Sequence, residues 1–220
     1  NNGLGIYQEG ASLVQGYNTL NVGDNAAGIY GFATNVSNVG NVIVQGENAV
    51  GLIGEDSNIT NNTGNVISTT SDGSVGIYSL LKAPTASTNL VNNGDLNISG
   101  DQSIGVFAST LDSTGVSIGT TFVQNNNIIT LGNASGINNA TIGIFGTEGV
   151  DILNAVGSQI SGGNNVVGIY SEKGTVKHDS AINLGDNSVG IYISAGNATI
   201  DSGASISVGS TGAVALYANA

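Results

Sequence analysis

Aromatic side chains recur at a regular spacing along the chain, and a row of flat rings could bind sugars. The rings stand two residues after a repeated glycine and are interrupted at Ile53; they are Tyr7, Tyr30, Tyr78, Phe107, Phe145, Tyr170, Tyr192 and Tyr217. If the flanking valines and isoleucines face inward, strand alternation places the rings outside the fold. In a competing structural interpretation, the stacked rings cover the glycine backbone and stabilise the repeats. We favour the structural interpretation.

Acidic side chains form a second column, four residues before the same glycine. Asp24, Glu47, Asp72 and Asp101 occupy it in successive repeats. Carboxylates about 5 Å apart on neighbouring strands repel one another unless they are solvated, screened by salt or bridged by a cation. Calcium takes about six to eight oxygen ligands, whereas each repeat offers one carboxylate, and the nonapeptide calcium-binding repeat is absent. We therefore predict solvated turn acids, no metal site and no cofactor.

His178 is the only histidine and stands between Lys177 and Asp179. Catalysis would require a partner nucleophile, yet no serine lies in a recognisable nucleophile motif, and one imidazole cannot build a metal site. We therefore predict an exposed histidine without a catalytic role. Polysaccharide lyases need clustered basic groups, and this chain has no arginine and only Lys82, Lys173 and Lys177. We predict that the protein is not an enzyme, with paired-carboxylate polysaccharide hydrolysis as an open alternative.

The composition is unusual for a globular protein and excludes several functions. Of 220 residues, 35 are glycine and 8% are charged, but 40% are hydrophobic, which is enough for a core. The net charge of −12 excludes a basic surface for nucleic acid and disfavours anionic membranes. The absence of cysteine excludes disulfides and thiolate metal sites. We expect an internal piece of a longer, exported polypeptide.

An internal repeat organises the whole sequence. A Gly-Ile-Tyr-like triplet begins at Gly5, Gly28, Gly51, Gly76, Gly105, Gly143, Gly168 and Gly190, with a degenerate copy at Ala215. Most steps are 22 to 25 residues, and two are longer, at 29 and 38. Each repeat is therefore one structural unit, which we call a coil.

Short apolar segments within each coil predict strands rather than helices. The residues directly before and after the glycine are mostly valine, isoleucine or leucine, and we predict that both columns face the core. Asparagine or glycine three residues before it suits a left-handed turn. Further apolar segments end before this turn, as in 42–44, and lie midway, around Val14, Val36 and Ile59. The pattern predicts an all-β fold: a right-handed parallel β-helix, a three-sheet solenoid of about nine coils forming one domain over 1–220.

The two long steps predict loops that leave the rod at its corners. Their extra residues fall at about 79–88, 108–121 and 133–140. Loops carry recognition, and insertions from neighbouring corners would form one raised patch. Our candidate partner-binding residues there are Leu80, Leu81, Lys82, Pro84, Leu111, Asp112, Asn138 and Asn139. Neutral drift is the alternative, because surface insertions cost little entropy.

The motif Gly-Asp-Asn-x-Val-Gly-Ile-Tyr at 23–30 and 185–192, with Ala27 at the valine position of the first copy, resembles the passengers of large monomeric type V autotransporters, most of all fusobacterial outer-membrane adhesins. The likeness covers essentially the whole chain. It implies a surface rod translocated through a C-terminal β-barrel outside this segment, anchored at the outer membrane and active in co-aggregation or host-cell binding. Trimeric adhesins differ, because their heads repeat at about 14 residues with left-handed coils, so we expect a monomer.

The sequence thus predicts a non-enzymatic cell-surface adhesin segment. We expect a host or bacterial surface protein or glycan as its partner, no nucleic acid, and membrane attachment only through the barrel. Two alternatives stay open. The rod could be a structural spacer without its own binding site, or it could be a polysaccharide-processing β-helix enzyme.

Overall fold

A computed structural model describes residues 3–10 and 17–219, which form parallel strands joined by turns and loops. In chain order the strands are β1 (Leu4–Glu9), β2 (Thr19–Val22), β3 (Ala27–Phe32), β4 (Asn35–Asn38), β5 (Asn41–Val44), β6 (Val50–Glu55), β7 (Asn58–Asn61), β8 (Val66–Thr69), β9 (Val75–Leu80), β10 (Ser87–Asn92), β11 (Asp95–Ile98), β12 (Ile104–Ser109), β13 (Thr120–Asn125), β14 (Ile128–Leu131), β15 (Thr141–Gly146), β16 (Val150–Asn154), β17 (Gln159–Gly162), β18 (Val166–His178), β19 (Ala181–Asn183), β20 (Val189–Ile200), β21 (Ser205–Ser207) and β22 (Val214–Ala218). A single 3₁₀ turn occupies Ile137–Asn139 within the described residues.

The strands stack on three faces. The first face contains β1, β3, β6, β9, β12 and β15, followed by the first halves of β18 and β20 and then β22. The second contains β4, β7, β10, β13 and β16, followed by the second halves of β18 and β20. The third is an eight-stranded sheet of β2, β5, β8, β11, β14, β17, β19 and β21. Because β18 and β20 run through a corner, the first two faces join into one sheet.

The chain is therefore a parallel β-helix of about eight turns, followed by a ninth strand on the first face. This confirms the predicted all-β fold and its repeat. Equivalent residues pair in register, as Ile29 does with Leu52 and Phe107 with Phe145. The midway segment predicted around Val14 lies outside the described residues. No helix in the described parts of the chain is long and apolar enough to cross a membrane.

Left-handed residues turn the chain from the third face to the first, as predicted. Positive φ angles occur at Asn25, Asn48, Gly73, Gln102, Asn165, Asn187 and Gly212, three residues before the repeated glycine. The first six of these turns also bond to the next coil; the Asn25 amide, for example, donates to the Glu47 carbonyl at 2.9 Å. Ala140 departs from this column with a φ of −53°, because the 3₁₀ turn precedes it.

The residue after the repeated glycine lies in the core, but the residue before it does not. Side chains after the glycine are fully buried at Ile29, Leu52, Ile77, Val106, Ile144, Ile169 and Ile191. Most of the preceding column is half-buried, as at Val50 and Val75, with Val167 buried and Leu4 50% exposed. The prediction that both columns face the core was therefore wrong. The glycine itself faces inward, since a Cβ on Gly28 would stand 2.9 Å from the buried Val22 Cγ2. Because the glycine and the residue after it both face the core, the residue before the glycine faces outward.

Candidate functional site

Two loops emerge from one corner of the rod in consecutive coils. Loop A (81–86) joins β9 to β10, and loop B (110–119) joins β12 to β13, both at the corner between the first and second faces. They touch directly, because the Thr85 amide donates to the Ile118 carbonyl at 2.7 Å. The ends of the predicted insertions, 79–80, 87–88, 108–109 and 120–121, belong to strands. The loops are thus shorter than the sequence suggested, and they form one patch.

Loop B is folded around the Asp112 carboxylate. Asp112 Oδ1 accepts the Thr114 amide at 2.8 Å, the Thr114 hydroxyl at 2.7 Å and the Val116 amide at 3.0 Å. The Asp112 amide donates back to the Val116 carbonyl at 2.9 Å. Hydrogen bonds from Thr114 and Val116 favour the charged carboxylate and lower the pKa of Asp112. The loop therefore has a defined shape at neutral pH.

Hydroxyl groups fasten loop B to the coil above it. The Thr110 amide donates to Thr147 Oγ1 at 3.2 Å, and the Thr110 hydroxyl donates to the Glu148 carbonyl. The Thr110 and Ser117 hydroxyl oxygens lie 3.0 Å apart, and the Ser117 hydroxyl donates to the Gly119 carbonyl at 3.1 Å. The base of the loop is thereby tied to the rod at several points.

Loop A is held from the coil below. Asp56 Oδ1 accepts the Lys82 amide at 2.6 Å and the Ala83 amide at 2.7 Å. The Lys82 ammonium forms an ion pair with Glu55 Oε2 at 3.0 Å. Both loops are therefore anchored by neighbouring coils, and the surface between them is preformed.

The loops enclose a mostly apolar groove of about 400 Å³, lined by Leu80, Lys82, Leu111, Asp112, Ser113 and Ile118. Four of these were predicted as candidates. Ser113 and Ile118 were not predicted. Both lie within the predicted 108–121 insertion, and an aliphatic residue such as Ile118 in an inserted loop was the available signal. Pro84 is exposed on loop A but does not line the groove.

Leu81 cannot contact a partner, because it is fully buried. A Cβ on Gly119 would stand 2.5 Å from Leu81 Cδ2, so the leucine fills the space beneath both loops. Its prediction as a binding residue was therefore wrong. Leu81 supports the groove from below.

Asn138 and Asn139 lie at a different corner. Their loop (132–140) joins β14 to β15, between the third and first faces. Asn138 is exposed, and Asn139 Nδ2 donates to the Ser135 hydroxyl at 2.9 Å. The Ser135 hydroxyl and amide both donate to Asp101, which lowers the pKa of that carboxyl. The structure does not bring these asparagines into the groove.

The aromatic column stands outside the core, and its neighbouring rings stack face to face except for Phe107 and Phe145, which meet edge to face. Centroids are 4.8 to 5.0 Å apart at each step from Tyr78 to Tyr217, and Tyr7 and Tyr30 are 5.7 Å apart. Most ring faces contact a neighbouring ring, leaving edges and hydroxyls toward solvent. Desolvation and a 2.5 Å hydrogen bond to Glu55 raise the pKa of Tyr30 to about 12. This geometry favours the structural interpretation, because a bound sugar needs an open ring face.

A buried asparagine ladder, which the sequence analysis missed, runs through the corner between the second and third faces. The ladder consists of Asn38, Asn61, Asn92, Asn125 and Asn154; the side-chain amide of each of the first four donates to the Oδ1 of the next at 2.7 to 2.9 Å, and the Tyr17 hydroxyl donates to Asn38. Each asparagine follows a buried aliphatic residue by two positions, as Asn61 follows Ile59. That recurring spacing was the available signal.

His178 ends this ladder and is fully buried, so the prediction of an exposed histidine was wrong. Asn154 Nδ2 donates to His178 Nδ1 at 3.1 Å, and Nε2 donates to the Ser205 carbonyl at 3.1 Å. The next residue in register is Ile200, which has no acceptor. The imidazole thus closes the ladder and is occupied on both nitrogens.

The acidic column ties coils together. Asp24 Oδ1 accepts the Glu47 amide at 3.1 Å, and Asp72 Oδ1 accepts the Asp101 amide at 2.8 Å. Within residues 3–10 and 17–219, no three histidine or acidic side chains group as metal ligands would. The described acids therefore have a structural use at the turns.

Comparison of the chain with protein-family models, with curated proteins and with solved structures finds no match. The geometry of the groove is therefore the basis of the functional proposal.

Proposed function

We propose that this chain is a segment of a non-enzymatic cell-surface adhesin, which binds a surface protein or glycan through the groove between loops A and B. The observation that carries the proposal is the convergence of two insertions from consecutive coils into one groove. Drift would not favour a shared corner, since surface insertions cost little entropy anywhere. Loops held on a rigid scaffold are where proteins commonly place recognition.

The anchoring of both loops supports binding. Neighbouring coils hold loop A through the Asp56 carboxylate and loop B through the Thr147 hydroxyl and the Glu148 carbonyl. A partner would therefore meet a surface that is already ordered, and association would not have to order the loops. A spacer rod would not need such a surface.

The resemblance to autotransporter passengers supports the cellular setting. It favours an outer-membrane-anchored rod outside the cell, active in bacterial co-aggregation or host-cell attachment. The net charge of −12 agrees with a partner that is neutral or basic.

Shortening both loops is expected to abolish binding and preserve the fold. Only Asp56 and Ser57 separate β6 from β7, and 87–88 and 120–121 occupy the equivalent positions in the two later coils, so 81–86 and 110–119 can each be deleted without a replacement. Because the strands and ladders are untouched, circular dichroism and the melting temperature should stay close to those of the parent rod. Binding to partner cells should fall to background in a flow-cytometry assay. Val156→Ser, which removes an 80% exposed apolar side chain at another corner, is the matched control.

Undiminished cell binding by the folded, shortened rod would remove the proposal and favour the spacer. Turnover of a polysaccharide by the purified rod, detected as new reducing ends, would favour the enzyme instead.

A further inference from the structure

The floor of the groove is apolar. Leu80, Leu111 and Ile118 are half-buried, so each still presents part of its aliphatic surface to solvent. A volume of about 400 Å³ lies at the lower end of the range of ligand pockets, about 300–1,000 Å³. The floor therefore suits one apolar side chain or a pair of them.

The rim of the groove is acidic. Lys82 is neutralised by Glu55 at 3.0 Å, and the other two lysines pair with Glu148, Asp179 and Asp201. Asp112, which lines the groove, and Asp56, which holds the Lys82 amide beside it, therefore have no lysine partner, within a chain of net charge −12. The negative electrostatic field of the rim and the apolar side chains of the floor together favour a partner whose binding segment has an apolar centre and cationic flanks.

One oxygen of each rim carboxylate is already bonded within the loops. Asp112 Oδ1 accepts three bonds, and Asp56 Oδ1 accepts two. Sugars are recognised through several directed hydrogen bonds, and an apolar floor does not provide them. Acidic glycans would in addition be repelled by the rim.

From these observations we propose that the groove binds an aliphatic side chain of a protein segment flanked by lysine or arginine. This inference deepens the proposed function and rests on it. The aliphatic side chain lies on Leu80, Leu111 and Ile118, and the flanking cations face Asp56 and Asp112.

Short labelled peptides test the chemistry directly. The probes are acetylated Lys-Arg-Leu-Arg-Lys amide, the same peptide with alanine for leucine, and Glu-Glu-Leu-Glu-Glu amide, measured by fluorescence anisotropy against the intact chain. We expect the basic leucine peptide to bind at least about tenfold more tightly than either of the others.

Charge variants give the matched comparison. Asp56→Asn with Asp112→Asn removes both rim charges but keeps an Oδ1 acceptor at each position, so the loops should stay folded. Asp24→Asn with Asp72→Asn removes two charges at another corner in the same way. The rim double variant should bind the basic leucine peptide about five- to tenfold more weakly than the parent, and the control double variant should lose less than about twofold in affinity.

Equal affinity for the basic and acidic peptides, or equal loss in the rim and control variants, would overturn the inference. Partner-cell binding by the same variants separates the two proposals. If the shortened loops abolish cell binding but the rim variant binds cells and basic peptide like the parent, the partner's assigned chemistry is wrong and the adhesin proposal stands. If the shortened rod still binds cells, the adhesin proposal fails.

Discussion

Adding one methyl group at Gly105 is expected to lower the free energy of unfolding by at least about 3 kcal/mol. A Cβ there would stand 2.6 Å from the Gly143 carbonyl oxygen in the next coil and 3.3 Å from Ile98 Cγ1. The first neighbour is backbone, so relief requires separating two coils that the strand hydrogen bonds hold about 4.8 Å apart. Urea denaturation of Gly105→Ala, followed by circular dichroism, measures the loss.

Gly23→Ala is the matched control, because nothing lies within 4 Å of a Cβ at that glycine. It should change the free energy of unfolding by less than about 0.5 kcal/mol. Since a solenoid is stabilised by contacts between neighbouring coils, Gly105→Ala should also broaden the transition as the two halves of the rod uncouple. A loss below about 1 kcal/mol, with an unchanged transition, would contradict close glycine stacking.

Asn92→Leu is expected to lower the free energy of unfolding by about 3–5 kcal/mol, because it leaves two buried polar groups of the asparagine ladder without a hydrogen-bond partner. Asn61 Nδ2 loses its acceptor at 2.8 Å, and Asn125 Oδ1 loses its donor at 2.8 Å. Leucine is similar in size, so the loss would report hydrogen bonding more than volume. Thermal and urea denaturation of the variant measure it.

Asn97→Leu makes the same substitution on the exposed side of a strand in the same coil. It should change the free energy of unfolding by less than about 0.5 kcal/mol. If both variants lost equal stability, or if Asn92→Leu stabilised the rod, the ladder would have no energetic part in the fold.

The sequence predicted the fold well because the backbone conformation restricts the residue type at fixed positions of every coil. Left-handed turns at Asn25, Asn48 and Asn187 favour asparagine or glycine, and close contacts between coils require the glycine column, so both produce a visible period in the sequence. Counting residues from the repeated glycine then predicts which residues of neighbouring coils pair in register. The third-face strands, such as 42–44, were found in the same way, since they alternate simply between core and solvent.

Errors arose where the coil departs from simple alternation. The glycine column points inward next to an inward isoleucine, so residues such as Val50 move outside although they are aliphatic. His178 looked exposed because it stands between Lys177 and Asp179. Its register with Asn154, which decides its burial, depends on where the coil turns.

The candidate site was predicted in part for a related reason. Sequence spacing located the insertions, but it could not tell that loops A and B share a corner and that 132–140 leaves from another. It also could not show that Leu81 points beneath the loops. Which corner a loop leaves, and which of its side chains faces solvent, depend on the path of the chain in space.

The most direct test of the adhesin proposal is photo-crosslinking from inside the groove. Ser113 is exposed and lines the groove, whereas Val156 is 80% exposed at the corner between the second and third faces. Benzoylphenylalanine would be placed at one position or the other, and the rod irradiated on partner cells. We expect position 113 to yield a defined adduct with a surface macromolecule and position 156 to yield none. Adducts from both positions alike, or from 156 alone, would contradict binding at the groove.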